Sequence, residues 1–354
     1  MRIGAIELDL PVVQAALSGY SDLAMRRVAR MHGAAYTLNE VVLDKLVVTP
    51  GKIQRSITRV ADDDHPVGGQ LMGSEPNTFA AAADALVAAG YDCVDINFGC
   101  PVRKVLGRCR GGFLLSQPEQ ALRIVRNVHD AVAGRRPVTV KMRRGLDDSP
   151  ESERNFFAIL DGAFAIGVDA ITVHGRSVEQ RYVGPSCWSF LERVKRHAGD
   201  RVILGSGDLF TAEDCLRMMD ETGVDGVTAA RGCIGNPWIF ADCRALLDAR
   251  KRGERAEPGL PPTVAEQGRT IAQHFAWAIE VHGEARAGRV MRKFGIKYSE
   301  LHPEARAVRD AFIRVKNHND WRAVLARWYD PTVEWPTPSR RRGPGDLIAA
   351  GAVT

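Results

Sequence analysis

The residues best suited to chemistry cluster at Asn97-Phe98-Gly99-Cys100-Pro101. A short apolar run, 93–96, leads straight into them. Gly99 permits a tight turn and Pro101 fixes the exit from it. The Cys100 thiol is thereby held at a strand end, beside Asn97 and ahead of Arg103 and Lys104. A cysteine so placed suits a general acid or a nucleophile. One enclosed by apolar neighbours is only a small hydrophobe. Three more polar residues close apolar runs: Gln70, Lys141 and His174. Gln70 offers donor and acceptor together, which fits the edge of a heterocyclic ring. Lys141, in Val-Lys-Met-Arg, offers a cation. His174, followed by Gly175, is either a ligand contact or a satisfied core histidine.

These residues need elements to position them. Eight short apolar runs recur, at 11–16, 34–38, 66–71, 93–97, 138–141, 170–174, 202–205 and 226–230. They do not alternate polar with apolar, as expected of parallel strands covered on both faces. Stretches 76–90, 117–133, 152–167 and 211–223 lie between them. They carry apolar residues at three- and four-residue spacing, and several close on glycine, so they read as helices. Eight β/α units in the first 240 residues match a (β/α)8 TIM barrel, which takes about 250 residues. An open doubly wound sheet of eight strands is the alternative.

In such a barrel, residues just past the strands converge on one open face. The first strand offers Ala16, Leu17 and Ser18 there. The seventh and eighth offer Gly205-Ser206-Gly207-Asp208 and Ala230-Arg231-Gly232. Glycine lets backbone N–H groups approach an anion, and these two positions often hold a phosphate in barrels of this kind. A flavin mononucleotide would use all of them at once. Its phosphate would lie at strands seven and eight, its polar edge at Gln70 and Lys141, and its ring over the mouth.

After residue 240 the strand pattern stops. A polar Gly- and Pro-containing stretch, 250–262, reads as a linker. Four amphipathic helices are predicted at 264–281, 286–301, 304–316 and 320–329, the last N-capped by Asp320, and they form a small antiparallel bundle. Residues 331–354, with Arg340-Arg341-Arg342, lack periodicity and read as a disordered tail. The expected organisation is thus a catalytic barrel over 1–245, a helical domain over 260–330 and that tail. From Ala241 onward there are 20 Lys+Arg and 14 Asp+Glu, net +6, against 28 and 29 before it, net −1. Arg286, Arg289, Lys293 and Lys297 recur at helical spacing, with Arg292 adjoining. Such a stripe can follow a phosphate backbone or simply be a solvated face.

The composition narrows the class. The 354 residues are 45% hydrophobic and 26% charged, enough for a large core. No run of 18 apolar residues suggests a membrane span, and the acidic start MRIGAIELDLP does not resemble a signal peptide. Seven cysteines with no Cys-x-x-Cys pair argue against zinc or a disulfide framework and for a reducing cytoplasm.

Several motifs in this order resemble the tRNA-dihydrouridine synthases. They are Asn97-x-Gly-Cys-Pro followed by Lys104-Val105, Val140-Lys-Met-Arg, Val173-His-Gly-Arg, Gly205-x-Gly-Asp, and Arg231-Gly-x-x-Gly-Asn-Pro-Trp. The resemblance covers about residues 10 to 330. Where the family has Ala-Pro-Met, Asn-Gly-Asp and Gly-Arg, this chain has Ala15-Ala16-Leu17, Ser206-Gly207-Asp208 and Ala230-Arg231. The resemblance implies an FMN-dependent, cytoplasmic oxidoreductase that reduces uridine C5=C6 in tRNA with NADPH or NADH, without a metal. By it, Cys100 is the acid that protonates C5, and Asn97 and Arg143 hold the uracil. Lys141, His174 and Gln70 contact FMN, as do Ala16, Leu17 and Ser18. Ser206, Gly207, Asp208, Ala230 and Arg231 bind its ribityl phosphate. The stripe of Arg286, Arg289, Lys293 and Lys297 meets the tRNA, and a monomer suffices. Two other readings stay open at this stage: an FMN barrel acting on a free dihydropyrimidine or dihydroorotate, and an RNA-binding barrel without catalysis.

Overall fold

The computed structural model describes residues 1–338, Ala256 and Pro258 excepted. Eight parallel strands form a closed barrel: β1 (Val12–Gln14), β2 (Thr37–Leu38), β3 (Val67–Met72), β4 (Cys93–Phe98), β5 (Val138–Arg143), β6 (Ala170–His174), β7 (Val202–Ser206) and β8 (Gly226–Ala229). Each pairs with its sequence neighbour, and β8 pairs with β1 to close the ring. Each run expected to be a strand is one, and the ring excludes an open sheet. Seven helices follow the strand pattern: α1 (Leu23–Met31), α2 (Pro76–Ala88), α3 (Pro118–Val132), α4 (Pro150–Ile166), α5 (Trp188–Ala198), α6 (Ala212–Thr222) and α7 (Ile239–Lys251). Between β2 and β3 there are instead two short helices, Asp44–Val48 and Lys52–Ile57.

Alternate strand residues face the barrel interior. Its lower layer is apolar: Val13, Leu38, Cys93, Ala170 and Leu204 pack into one cluster. Ile3 and Ile6 join that cluster from an antiparallel hairpin, Arg2–Ile3 with Ile6–Glu7, which closes the N-terminal end. The pairs Gln70↔Asp95, Asn97↔Lys141 and Arg143↔His174 stand above it, nearer the strand C-termini. The interior is therefore greasy below and polar above.

A short sequence repeat pins the lower rim. Gly90-Tyr91-Asp92, Gly167-Val168-Asp169 and Gly223-Val224-Asp225 each precede an even-numbered strand. The aspartate accepts an N–H from the first or second residue of the neighbouring odd strand in each case. Val67 donates to Asp92 at 2.7 Å, Val138 to Asp169 at 2.8 Å and Ile203 to Asp225 at 2.8 Å. The glycines take positive φ angles of 97°, 115° and 69°, which let the chain turn from helix into strand.

The chain divides into two compact units. The first holds the barrel strands: 1–19, 35–207 and 217–229. The second takes 20–34, 208–216 and everything from 230 on, so α1 groups with the C-terminal helices. Those helices are α8 (Val264–His282), α9 (Glu284–Tyr298), α10 (Ala305–Ile313) and α11 (His318–Trp328). A reciprocal cap starts α8: Thr263 Oγ1 accepts from Glu266 N, and Glu266 Oε2 accepts from Thr263 N. Within this unit Gly295 of α9 lies against the Phe312 ring of α10, where a side chain would collide.

Two expectations need correction. The α11 N-cap is Asn317, whose Oδ1 accepts from Asp320 N at 3.0 Å. Asp320 lies in the first turn, and its carboxylate accepts from Lys316 N instead. The linker begins at 252, because α7 runs through Lys251. Within the segment read as a tail, Trp335 packs on His302 with ring centroids 4.8 Å apart. Residues 339–354, including Arg340-Arg341-Arg342, lie outside the described residues. No helix among the described residues is long and apolar enough to cross a membrane.

Replacing Asp225 by alanine strips the acceptor from Ile203 N and the counter-charge from Lys195. A loss of about 1–3 kcal/mol in chemical denaturation is expected, with Asp225→Asn losing less.

Candidate active site

β4 delivers the central residues. It is buried throughout, from Cys93 to Phe98. Asn97, near its end, folds its side chain back over the turn. Its Oδ1 accepts from both Gly99 N and Cys100 N at 3.0 Å. Those two N–H groups can only donate, so the amide oxygen must face them. Asn97 Nδ2 therefore points the other way and donates to Gln70 Oε1 at 2.7 Å. Gln70 in turn presents Nε2 to Asp95 Oδ2 at 2.6 Å. Thr139 donates to the other Asp95 oxygen at 2.5 Å. A single chain of hydrogen bonds thus runs from the Cys100 backbone to a buried carboxylate, with each direction fixed by the one before.

Asp95 was not singled out from the sequence. The signal was present, since an acid inside an otherwise apolar strand is rarely idle. Burial pushes its pKa up. The hydrogen bonds from Thr139 and Gln70 and the charge of Lys141 oppose this. Gln70 is gripped from its backbone as well, where its N–H donates to Asn39 Oδ1 at 2.9 Å.

Cys100 is half-buried, and Gly111 lies against its Cβ so closely that a side chain there would collide. Its carbonyl accepts from Gly112 N at 3.1 Å. Burial pushes the thiol pKa up, against the lowering effects of the Val102 backbone N–H and the Arg143 charge. The balance favours the thiol over the thiolate.

Lys141 stands beside Asn97 in the strand register. Burial first, then the Arg143 charge, lowers its pKa to about 8, with Asp95 acting in the opposite direction. Its ammonium has no hydrogen bond or ion pair among the described residues. A half-buried cation above a polar floor fits an electron-rich ring, so the site suits the flavin that the sequence suggested.

Arg143 is buried and strongly tied. Nε donates to Gly99 O at 3.0 Å, and Nη1 to Ser177 O at 2.8 Å and Arg181 O at 2.7 Å. It clamps the loop after β4 to the loop after β6, and the Tyr182 ring lies 5.7 Å from its guanidinium. His174 accepts from Arg176 N through Nδ1 at 3.1 Å, which leaves the N–H of the neutral ring on Nε2. Arg181, Ser177 and Tyr182 carried no sequence signal, because a loop residue's partners are set by the fold.

The remaining predicted cofactor residues lie at the ends of β1, β7 and β8. Ala16 and Leu17 are half-buried and Ser18 is exposed. Ser206 is buried, and Gly207 has φ 117° with Ser186 Oγ where a side chain would begin. Within the second unit, Asp208 adopts φ 58° and its Oδ1 is 3.7 Å from Arg231 Nη2. Arg231 also covers the Phe210 ring at 5.3 Å, and Ala230 begins the turn that carries it.

The basic stripe on α9 is less open than its spacing suggests. Arg286 and Arg289 are exposed. Lys293 lies over the Tyr20 ring at 4.8 Å, and Lys297 pairs with Glu300 at 2.8 Å. All seven cysteines are free thiols. The described residues contain no cluster of three or more His, Cys, Asp or Glu placed to hold a metal.

A closed (β/α)8 barrel with a thiol and a cation near the ends of neighbouring strands suits a flavin-dependent oxidoreductase, the class to which the family match assigns this chain. Residues 13–329 match the sequence profile of the family described as Dihydrouridine synthase (Dus), and the chain belongs to that family. A protein of Mycobacterium tuberculosis described as a probable tRNA-dihydrouridine synthase is 34% identical over 345 residues, 95% of this chain and 86% of that protein. A Rickettsia conorii protein of the same description is 32% identical, covering 94% and 98%. Two solved structures share the fold at 14% identity. Histamine dehydrogenase from Rhizobium sp. 4-9 superposes with a TM-score of 0.55 over 76% of this chain, which spans half the length of that protein. The old yellow enzyme homologue from Zymomonas mobilis gives 0.51 over 75% of this chain and 94% of its own.

Proposed function

We propose that this chain reduces uridines of tRNA to 5,6-dihydrouridine in the cytoplasm, using bound FMN recharged by NADPH or NADH. The barrel, 1–245, does the chemistry and the helices of 260–330 hold the RNA, in a monomer. The observation that carries the reading is Asn97, whose Oδ1 anchors the Cys100 backbone N–H and whose strand neighbour is the cation of Lys141.

FMN, when bound, supplies a hydride to uracil C6. Cys100 then gives its Sγ–H proton to C5, so one hydride and one proton saturate the C5=C6 bond. The thiolate left behind is stabilised by the Arg143 charge and regains its proton from solvent. One Nδ2 hydrogen of Asn97 is committed to Gln70. The other has no partner among the described residues and suits a uracil carbonyl. Arg143 frames the uracil site by fixing both loops, and its role is rigidity as much as contact.

The flavin would lie against Lys141, Gln70 and the N–H of His174, near Ala16, Leu17 and Ser18. Its phosphate would meet the backbone of Ser206, Gly207, Asp208, Ala230 and Arg231. The Asp208–Arg231 approach offsets the carboxylate's repulsion of that phosphate. Arg286 and Arg289, with partial help from Lys293 and Lys297, offer phosphate contacts on α9. The target base must be turned out of the RNA to reach the mouth, at a cost of a few kcal/mol that such contacts offset.

Two outcomes test this. Cys100→Ala should keep flavin and tRNA binding yet slow dihydrouridine formation, read by tRNA sequencing, by roughly a hundredfold or more. An unchanged rate, or turnover of free pyrimidines alone, contradicts the reading. The second concerns pH. Lys141 loses its proton as pH rises through about 8, while an anionic or electron-rich ligand favours the protonated form. Flavin affinity of the apoprotein should therefore fall as pH rises above 8, measured by fluorescence quenching, and Lys141→Met should abolish that dependence.

A further inference from the structure

A phosphate held by backbone needs successive N–H groups turned to one side. Just past β7 those groups belong to residues 207 and 208. What turns them is the segment that follows β6. In a planar trans peptide the C=O and N–H point in opposite directions. Fixing a carbonyl therefore aims the N–H of the next residue. The Ser206 carbonyl accepts from Gly175 N at 3.3 Å and from Ser186 Oγ at 3.5 Å. The Gly207 carbonyl accepts from Trp188 Nε1 at 3.3 Å.

Successive carbonyls of a regular strand point to opposite neighbours. Here the φ of 117° at Gly207 breaks that alternation. Both carbonyls are held by residues that follow β6, so both N–H groups point away from them. β8, whose end carries the rest of the proposed phosphate site, flanks β7 on its other side. The Gly207 N–H has no partner among the described residues.

The brace is itself fixed. Cys187 N donates to Gly175 O at 3.0 Å, which seats 186–188 on the end of β6. The Arg217 guanidinium lies 4.8 Å from the Trp188 ring. A side chain at Gly175 or at Gly207 would collide with Ser186 Oγ, so the three backbones stand in close contact. The indole N–H is a donor only. It can hold the carbonyl and cannot compete with a phosphate for the neighbouring N–H groups.

We propose that Trp188 and Ser186 are positioning residues for the flavin phosphate, and that they set the preference for FMN over unphosphorylated riboflavin. They act through the Gly207 backbone. The inference rests on the flavin-dependent reading above.

The test compares two ligands. The full chain, freed of flavin, is titrated with FMN and with riboflavin, each followed by quenching of flavin fluorescence. The variants are Trp188→Phe, which keeps a ring against Arg217 and removes the donor, and Ser186→Ala. Trp188→Phe is expected to weaken FMN binding about tenfold, the scale of one hydrogen bond, and riboflavin binding by less than about twofold. Ser186→Ala removes a longer bond and is expected to weaken FMN binding about threefold, with riboflavin unchanged. The ratio of the two affinities is the readout, because a general loosening of the fold lowers both alike. An unchanged ratio in Trp188→Phe, whether the affinities hold or fall together, overturns the assignment. If that variant does not fold, the same ratio in Ser186→Ala decides. Wild-type protein that binds FMN and riboflavin equally would overturn the phosphate site and this inference with it, leaving the flavin reading intact. Wild-type protein that binds neither would contradict the flavin reading itself.

Discussion

The site depends on a one-way chain of hydrogen bonds. Two backbone N–H groups, at Gly99 and Cys100, fix the orientation of the Asn97 amide. That fixes Gln70, whose donor needs an acceptor, and Asp95 is there to accept. A carboxylate in the middle of a buried strand would ordinarily be costly. Here both oxygens are engaged and Lys141 stands nearby, so the burial is compensated. The arrangement immobilises the turn that presents the thiol.

The barrel separates two tasks along its axis. Its lower layer is apolar and pinned at the rim by Asp92, Asp169 and Asp225, which hold neighbouring strands in register. Its upper layer gives up apolar packing for polar groups that a ligand must complete. Arg143 joins the two regimes. Its guanidinium is tied to carbonyls of two loops, so the mouth is framed by the same strand that carries Lys141. Burial then sets the chemistry, keeping Cys100 a thiol and bringing Lys141 close to its titration point.

The sequence disclosed the parts whose signals are local. Eight apolar runs with helical spacing between them announced the barrel, and Asn97-x-Gly-Cys100-Pro announced the turn. The rest was set by contacts between distant residues. Asp95 matters only because Gln70 and Thr139, on neighbouring strands, face it. The stripe on α9 is regular in spacing, yet Lys293 is drawn onto Tyr20 and Lys297 onto Glu300, partners that periodicity does not reveal. At α11, Asn317 and Asp320 both suit an N-cap. Only the backbone shows that the helix starts at His318 and that Asp320 bonds Lys316. The short helices after β2 are too brief to have a period.

The claim that the buried carboxylate orders the acid is tested most directly by single-turnover dihydrouridine formation in Asp95→Leu, a near-isosteric change that removes the final acceptor. With flavin bound and the melting temperature close to wild type, the rate should fall by about a hundredfold, the scale of an ångström-sized misplacement of a reacting group. Asp95→Asn, which can still accept from Gln70 while donating to Thr139, should retain much more. An Asp95→Leu rate within twofold of wild type would show that Cys100 is held in place by something else.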